Sequence, residues 1–422
     1  MKEKVGVIGL GVGYALASCL AEAGYRTVGI DTNPSVVAKP RTDPSVRRLI
    51  EYDRRNRKQI NSNLQLSTEY EKLSDCDYVT VCVSTGDEKK LVLGHVEDAV
   101  DSYCRKAKHG AVLIVYSTLP FGSSKKIKQL IEHGQLICDV DIHYVYMPLM
   151  IAQGTTADDF VNPPFVTFGS YSCASAENAL RFYKEFIRSS SLWKKKLPPM
   201  FATTPEVAEM AKLTANAFLS TKMSFANMTD MLCKKIGVES SELLNIVGSD
   251  WRIGEKMLKP GFAWGGNCFP RDTQSLVETY VENGVDPSIL TATLEINNTR
   301  LLEPCSILQS RQIPNGRVLV LGLAYKSGID ITSGSKSVQL LRQLQDKGYT
   351  ADGYDPNINP EQERDILDRT YGAVIVTTDE PCFDDIIDRM KKRKQDVLVL
   401  DYRMTKSSSA RTTHPSCSRR IV

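Results

Sequence analysis

Several absences narrow the field before any motif is read. No stretch of the 422-residue sequence approaches the ~18 consecutive apolar residues of a membrane-spanning helix. The N-terminus, MKEKVGVIGLGVG, enters an apolar strand and a glycine-rich turn at once, with neither the apolar stretch nor the cleavage site of a secretory signal. The 11 cysteines contain no CxxC pair and no repeated spacing, so neither a zinc site nor a disulfide scaffold is expected, and no metal. Reduced thiols and a cytoplasmic location are the expectation. No excess of one charge is present either. The 53 basic and 50 acidic residues leave a net charge of +3, which gives no reason to expect nucleic acid or a membrane surface as partner.

What is present is ordinary globular material, 42% hydrophobic and 24% charged. At ~150 residues per domain, the length suggests two or three domains. Apolar runs at 4–9 (KVGVIG), 26–31 (RTVGID), 78–83 (YVTVCV), 111–116 (AVLIVY) and 142–146 (IHYVY) alternate with helical stretches. That alternation predicts a parallel sheet covered on both faces, with one Rossmann unit at its start. Residues 205–236 then keep helical apolar spacing with no glycine, and their only proline comes first, after Thr203 and Thr204. A helix of this length suits a spine between domains or a face shared by two subunits, so a homodimer or higher homo-oligomer is expected. Strand patterns restart at 317–322 (RVLVLG) and recur at 349–354, 373–377 and 397–401, with a helical segment at 335–347. The expected fold is α/β: two Rossmann-like parallel-sheet domains joined by a long central helix and a helical middle domain. The boundaries fall at 1–203, 204–310 and 311–404, followed by a polar, disordered tail at 405–422.

Chemistry is signalled at two places. The run Gly9-Leu10-Gly11-Val12-Gly13 lies between a strand and a helix, where glycines bring backbone N–H groups up to a pyrophosphate. The usual fingerprint spaces its third glycine one residue later. Here position 14 is Tyr and Gly13 comes early, as if the turn were shortened by one residue. A plain packing role for the turn is the alternative. Asp31 ends the second strand where an acid meets the ribose hydroxyls, and its charge repels a 2′-phosphate, so NAD is preferred to NADP. Asp31 could instead cap the segment that starts at Pro34.

The second place is Pro260–Asp272, PGFAWGGNCFPRD. Gly265 and Gly266 lead to Cys268 at an apparent helix start near Pro270, where the helix dipole favours a thiolate. Asp272 lies four residues on. A small buried hydrophobe is the alternative for Cys268 and the better reading for most of the other cysteines. On the long helix Glu209, Lys212 and Asn216 are spaced to share one face. Lys212 and Asn216 could donate to a developing oxyanion, or the face could simply be a solvated stripe.

These pieces together resemble the UDP-glucose/GDP-mannose dehydrogenase family over about residues 3–404. The GLGVG turn, YSTLPFG (116–122), PEVAEMAKLTANAF (205–218), WRIGEKMLKPGFAWGGNCFPRD (251–272), VLGLAYKSG (320–328), YDP (354–356) and LDYR (400–403) carry the likeness. The resemblance implies NAD-dependent oxidation of the C6 alcohol of a nucleotide-sugar, UDP-glucose being favoured, in polysaccharide precursor synthesis. Cys268 would attack the first-formed aldehyde, and a second NAD would oxidise the thiohemiacetal to a thioester that water releases. Lys212, Asn216 and Asp272 would assist, with Thr118 near the nicotinamide. Thr85, in the loop that the family writes V-P-T-P, would join the cofactor site. Arg252, Lys259 and Gly265 would contact the nucleotide-sugar, Arg403 would reach the sugar or phosphates, and Lys326 would line the cleft between domains.

The sequence departs from the family's pattern at three points. The family's S-P-E-x-x-x-x-G reads MPLMIAQG, so Leu149 replaces an acid thought to activate the hydrolytic water, and Gln153 replaces another common acid. The D-x-R pattern reads Ile331-Thr332-Ser333, without the Arg that contacts the cofactor. The glycine turn is short, and V-P-T-P reads Val83-Ser84-Thr85-Gly86. Slow thioester breakdown, or a relative that binds nucleotide-sugar or NAD without full turnover, is what these departures would produce.

Overall fold

Short β-branched runs form the strands, and the helices between them cover both faces. The computed structural model describes residues 2–40, 44–52, 54–86, 89–313, 316–392 and 397–403. The 405–422 tail lies outside the described residues. The first sheet contains β1 (Lys4–Ile8), β2 (Arg26–Ile30), β3 (Leu64–Ser67), β4 (Tyr78–Val81), β5 (Ala111–Val115), β6 (Ile142–Tyr146), β7 (Val166–Gly169) and β8 (Met200–Thr203). Their order is β3-β2-β1-β4-β5-β6-β7-β8. All neighbours run parallel except β6 and β7, which meet antiparallel at Tyr146 and Gly169. Every residue of β4 and β5 is buried, as expected for strands with helices on both sides. One apolar cluster, including Leu16, Ile114 and Phe186, packs on one side of the sheet. Another, including Val81, Val100 and Ile131, packs on the other.

The register sets the site. Ile8 pairs with Ile30 and with Val81, so β1, β2 and β4 end together. The strand order reverses at β1 and β4, which is where an open α/β sheet opens a crevice.

The second sheet contains β9 (Arg317–Leu321), β10 (Thr350–Tyr354), β11 (Ala373–Val376) and β12 (Leu398–Asp401), ordered β10-β9-β11-β12 and parallel throughout. Between the sheets in sequence lie the helices Pro205–Ile236, Ser240–Gly248, Cys268–Glu282 and Ser288–Arg311. The first has 32 residues and extends about 48 Å at the usual helical rise. The chain divides into two units, Met1–Ala217 with Pro270–Asp286, and Phe218–Phe269 with Pro287–Val422. Two of its three boundaries cut through the helices Pro205–Ile236 and Cys268–Glu282, and the third falls in the connection between Glu282 and Ser288.

Candidate functional site

In the first unit, the end of β1 and its turn are shaped by glycines. Gly9 has φ +89°, and a Cβ there would lie 2.9 Å from the Cys82 main chain. Gly13 is the first residue of the helix Gly13–Glu22. A Cβ on it would lie 2.9 Å from Cys82 Cβ and 3.0 Å from Val7 Cγ1. Gly13 therefore does the work of the third glycine, close helix-to-strand packing, one residue early. A Cβ on Gly11 would meet nothing within 4 Å. The N-cap residue Val12 makes no side-chain cap bond; Ala15 N–H bonds to Val12 O at 3.1 Å, so the N–H groups ahead of Ala15 are the ones a ligand would take.

Asp31 follows β2. Its Oδ2 accepts the Leu10 N–H at 2.8 Å and its Oδ1 the Asn33 N–H at 2.9 Å. It is not the cap of the helix Pro34–Ala38, because Asn33 caps that helix through Ser35 N–H. An open glycine, an uncapped helix start and a carboxylate at the end of β2 fit a dinucleotide. Thr85 is buried in the loop after β4, and its carbonyl accepts Val92 N–H at 3.0 Å. Thr118 is half-buried in the loop after β5.

The polar face of the long helix is not a solvated stripe, because Glu209, Lys212 and Asn216 are all buried. Glu209 accepts the N–H groups of Gly122 and Ser124, both at 2.7 Å, and so caps the helix Ser123–His133. Burial pushes its carboxyl above the ordinary range, against the downward pull of those donors. Lys212 Nζ donates to the main-chain carbonyl of Leu149 at 2.7 Å. The Leu149 side chain packs against the first core cluster. Asn216 Nδ2 donates to Asp272 Oδ2 at 2.6 Å, and Arg271 Nε donates to Asp272 Oδ1 at 3.0 Å. Asp272 is 0% exposed.

Cys268 is exposed and is the first residue of the helix Cys268–Glu282, two residues ahead of the start expected at Pro270. Asp272 is four residues along the same helix. The glycines before Cys268 permit a close backbone approach in the second unit. A Cβ on Gly265 would lie 2.4 Å from the Gly334 carbonyl, and Gly266 has φ +79°. Gly266 N–H donates to Gly334 O at 2.9 Å, and Ser333 Oγ donates to Asn267 Oδ1 at 2.9 Å.

The remaining predicted residues are dispersed. Lys259 and Lys326 are exposed. Arg252 is exposed and paired with Asp250 at 2.6 Å. Arg403 is buried and paired with Asp401 and, at 3.0 Å, with Asp384, so a phosphate would compete with two carboxylates for it. The sequence reading missed Arg271, Asn227, Asn297 and Arg300. All four are buried, and three of them engage the loop ahead of Cys268.

A dinucleotide-type turn in one sheet, a second Rossmann-like sheet and a cysteine opening a helix fit an NAD-dependent dehydrogenase. Three domain models of one family match in order: the NAD binding domain over residues 3–187, the central domain over 206–299 and the UDP binding domain over 319–407. The chain belongs to the UDP-glucose/GDP-mannose dehydrogenase family. A UDP-glucose 6-dehydrogenase of Haloferax volcanii is 29% identical over 95% of this chain and 96% of its own length. A GDP-mannose 6-dehydrogenase of Pseudomonas putida is 26% identical over 84% of this chain and 81% of its own. The solved structure of a UDP-glucose dehydrogenase from Pyrobaculum islandicum matches with a TM-score of 0.80 at 25% identity, covering 95% of each chain.

Proposed function

We propose that the chain oxidises the C6 primary alcohol of a nucleotide-linked sugar to a carboxylate, with UDP-glucose as the first substrate to test. The overall change consumes one water, transfers two hydrides and releases three protons. NAD supplies the chemistry the protein lacks, acceptance of hydride. Gly9, Gly11, Gly13 and Asp31 would hold its pyrophosphate and ribose, with Thr85, Thr118 and Lys326 lining the remainder. Cys268 attacks the aldehyde carbon through sulfur to give a thiohemiacetal. Loss of a second hydride leaves a thioester, and water cleaves the C–S bond and returns the thiol. Lys212 and Asn216 donate to the substrate oxygen while negative charge develops. Asp272, fixed by Asn216 and Arg271, holds the water. Arg252, Lys259, Gly265 and Arg403 serve the nucleotide-sugar.

The observation that carries this reading is the placement of Cys268 at the start of the helix that carries Asp272, with Asn216 bonded to that carboxylate. NADH absorbance against a panel of UDP- and GDP-sugars tests it. Two NADH per sugar consumed supports it, and a flat trace for the whole panel overturns it. A second reading is favoured by one observation: Lys212 rests on a main-chain carbonyl where the family has a carboxylate. A binding protein without turnover would give that flat trace together with tight calorimetric binding of nucleotide-sugar or NAD.

We place the reaction in the cytoplasm, as a step toward polysaccharide precursors. The working form is a homodimer. Phe218, Phe225, Leu232 and Ile236 lie along one long helix and are each half or more exposed, an apolar face that a second copy would cover. A monomer by sedimentation at micromolar concentration would exclude this assembly.

A further inference from the structure

The segment 261–267 runs into Cys268 without a helix or strand of its own, so its main-chain polar groups must find partners elsewhere. At Gly261 and Trp264 they find them in buried side chains. Gly261 N–H donates to Asn227 Oδ1 at 2.8 Å, and Gly261 O accepts from Arg300 Nε at 2.8 Å. Trp264 N–H donates to Asn297 Oδ1 at 2.9 Å, while Asn297 Nδ2 donates back to Trp264 O at 2.9 Å. Trp264 Nε1 donates to Ser224 Oγ at 3.0 Å. The Arg300 charge is balanced by Asp230 and Glu303, both at 2.7 Å.

Asn227, Asn297 and Arg300 are 2%, 5% and 1% exposed. Buried amides and guanidinium groups are costly unless bonded, and here all three bond to the main chain of one loop. The Asn297 amide copies a rung of strand pairing, since its acceptor and its donor hold both sides of a single residue. That rung lies four residues before the thiol.

We infer that Asn297 is a positioning residue for Cys268: its two-point grip on Trp264 sets where the helix Cys268–Glu282 begins and so where the sulfur sits. This rests on Cys268 being the nucleophile. Arg300 and Asn227 hold the upstream end of the same loop, and Asp230 keeps the Arg300 guanidinium aimed at Gly261.

The test compares Asn297→Ala, Asn297→Asp, Cys268→Ala and a core variant in an apolar cluster that contains no residue of 261–267, Met390→Ala, in the full chain. Four quantities are read: kcat, KM for the nucleotide-sugar, Tm, and the pH midpoint of Cys268 alkylation by iodoacetamide, mapped by mass spectrometry. A displacement of about 1 Å at a reacting group costs on the order of 100-fold. Asn297→Ala is therefore expected to lose kcat by roughly 10- to 100-fold with KM within about twofold. Its alkylation midpoint moves upward as the sulfur leaves the helix start. Asn297→Asp keeps the acceptor and loses the donor. Protonating the carboxyl restores a donor to Trp264 O, so its alkylation rate relative to wild type recovers as pH falls.

Wild-type kcat and midpoint in Asn297→Ala overturn the inference. So does the same kcat loss and midpoint shift in Met390→Ala at an equal loss of Tm. If Asn297→Ala does not fold, a pH-independent ratio of Asn297→Asp to wild type overturns it. Normal turnover in Cys268→Ala would sink the nucleophile reading instead, leaving the alkylation midpoint as the measure of positioning alone.

Discussion

Replacing Asp272 by Asn tests the polar centre of the first unit. Asp272 is fully buried and accepts from Asn216 at 2.6 Å and from Arg271 Nε at 3.0 Å, with Arg271 itself buried. An Asn at 272 can keep one of those bonds through its oxygen. It cannot balance the Arg271 guanidinium, which is left charged and out of water. Removing one partner of a buried ion pair costs about 3–5 kcal/mol. At roughly 2–4 °C per kcal/mol for a unit of a couple of hundred residues, Tm falls by roughly 6–20 °C. Pairing the change with Arg271→Gln removes the stranded charge, so the double variant should recover at least ~1.5 kcal/mol of that loss. Thermal unfolding followed by circular dichroism, with and without NAD, measures both. A Tm for Asp272→Asn within about 2 °C of wild type, or strict additivity in the double variant, would refute the argument that this pair is a coupled buried unit.

Other outcomes follow from the same geometry. Because burial raises the Glu209 carboxyl, its contribution to stability is full below the ordinary carboxyl range and is lost as pH rises through the raised value. The stability gap between wild type and Glu209→Gln should thus narrow across that window in urea titrations, and a constant gap would contradict the assignment. Gly13→Ala places a methyl 2.9 Å from Cys82 Cβ and should cost about 1–3 kcal/mol and weaken NAD binding in calorimetry. Unchanged affinity and Tm would show that the short turn has slack. Leu149→Glu puts a carboxylate on the residue whose main-chain carbonyl Lys212 holds. If thioester breakdown limits turnover, kcat rises by up to roughly 10²–10⁴-fold in stopped-flow assays, whereas an unchanged kcat in a folded variant places the slow step elsewhere.

In the first sheet, the strands readable in the sequence were buried ones with unbroken apolar runs, as strands covered on both faces require. β1, β2, β4, β5 and β6 ended within two residues of their runs. β3 and β8 went unread because they are the sheet's edges. Their exposed Gln65 and Phe201 break any pattern. β7 went unread because its four residues follow a Pro-Pro pair and read as loop. Gly13 was legible as a glycine out of place, but only the contact with Cys82 explains how a shortened turn still packs. Asn227, Asn297 and Arg300 could not be found by periodicity, which assigns polar helix residues to solvent. What buries them is a loop near in space and distant in sequence.

The residue roles depend most on whether Cys268 carries the substrate's C6 carbon. Full-chain protein mixed with UDP-glucose and excess NAD, quenched in acid within one turnover and digested, gives the mass of the Cys268 peptide. An acyl-sugar adduct on that peptide is expected, formed with two NADH per enzyme and absent in Cys268→Ala. An unmodified peptide throughout the turnover, with Cys268→Ala oxidising the sugar at the wild-type rate, would contradict it.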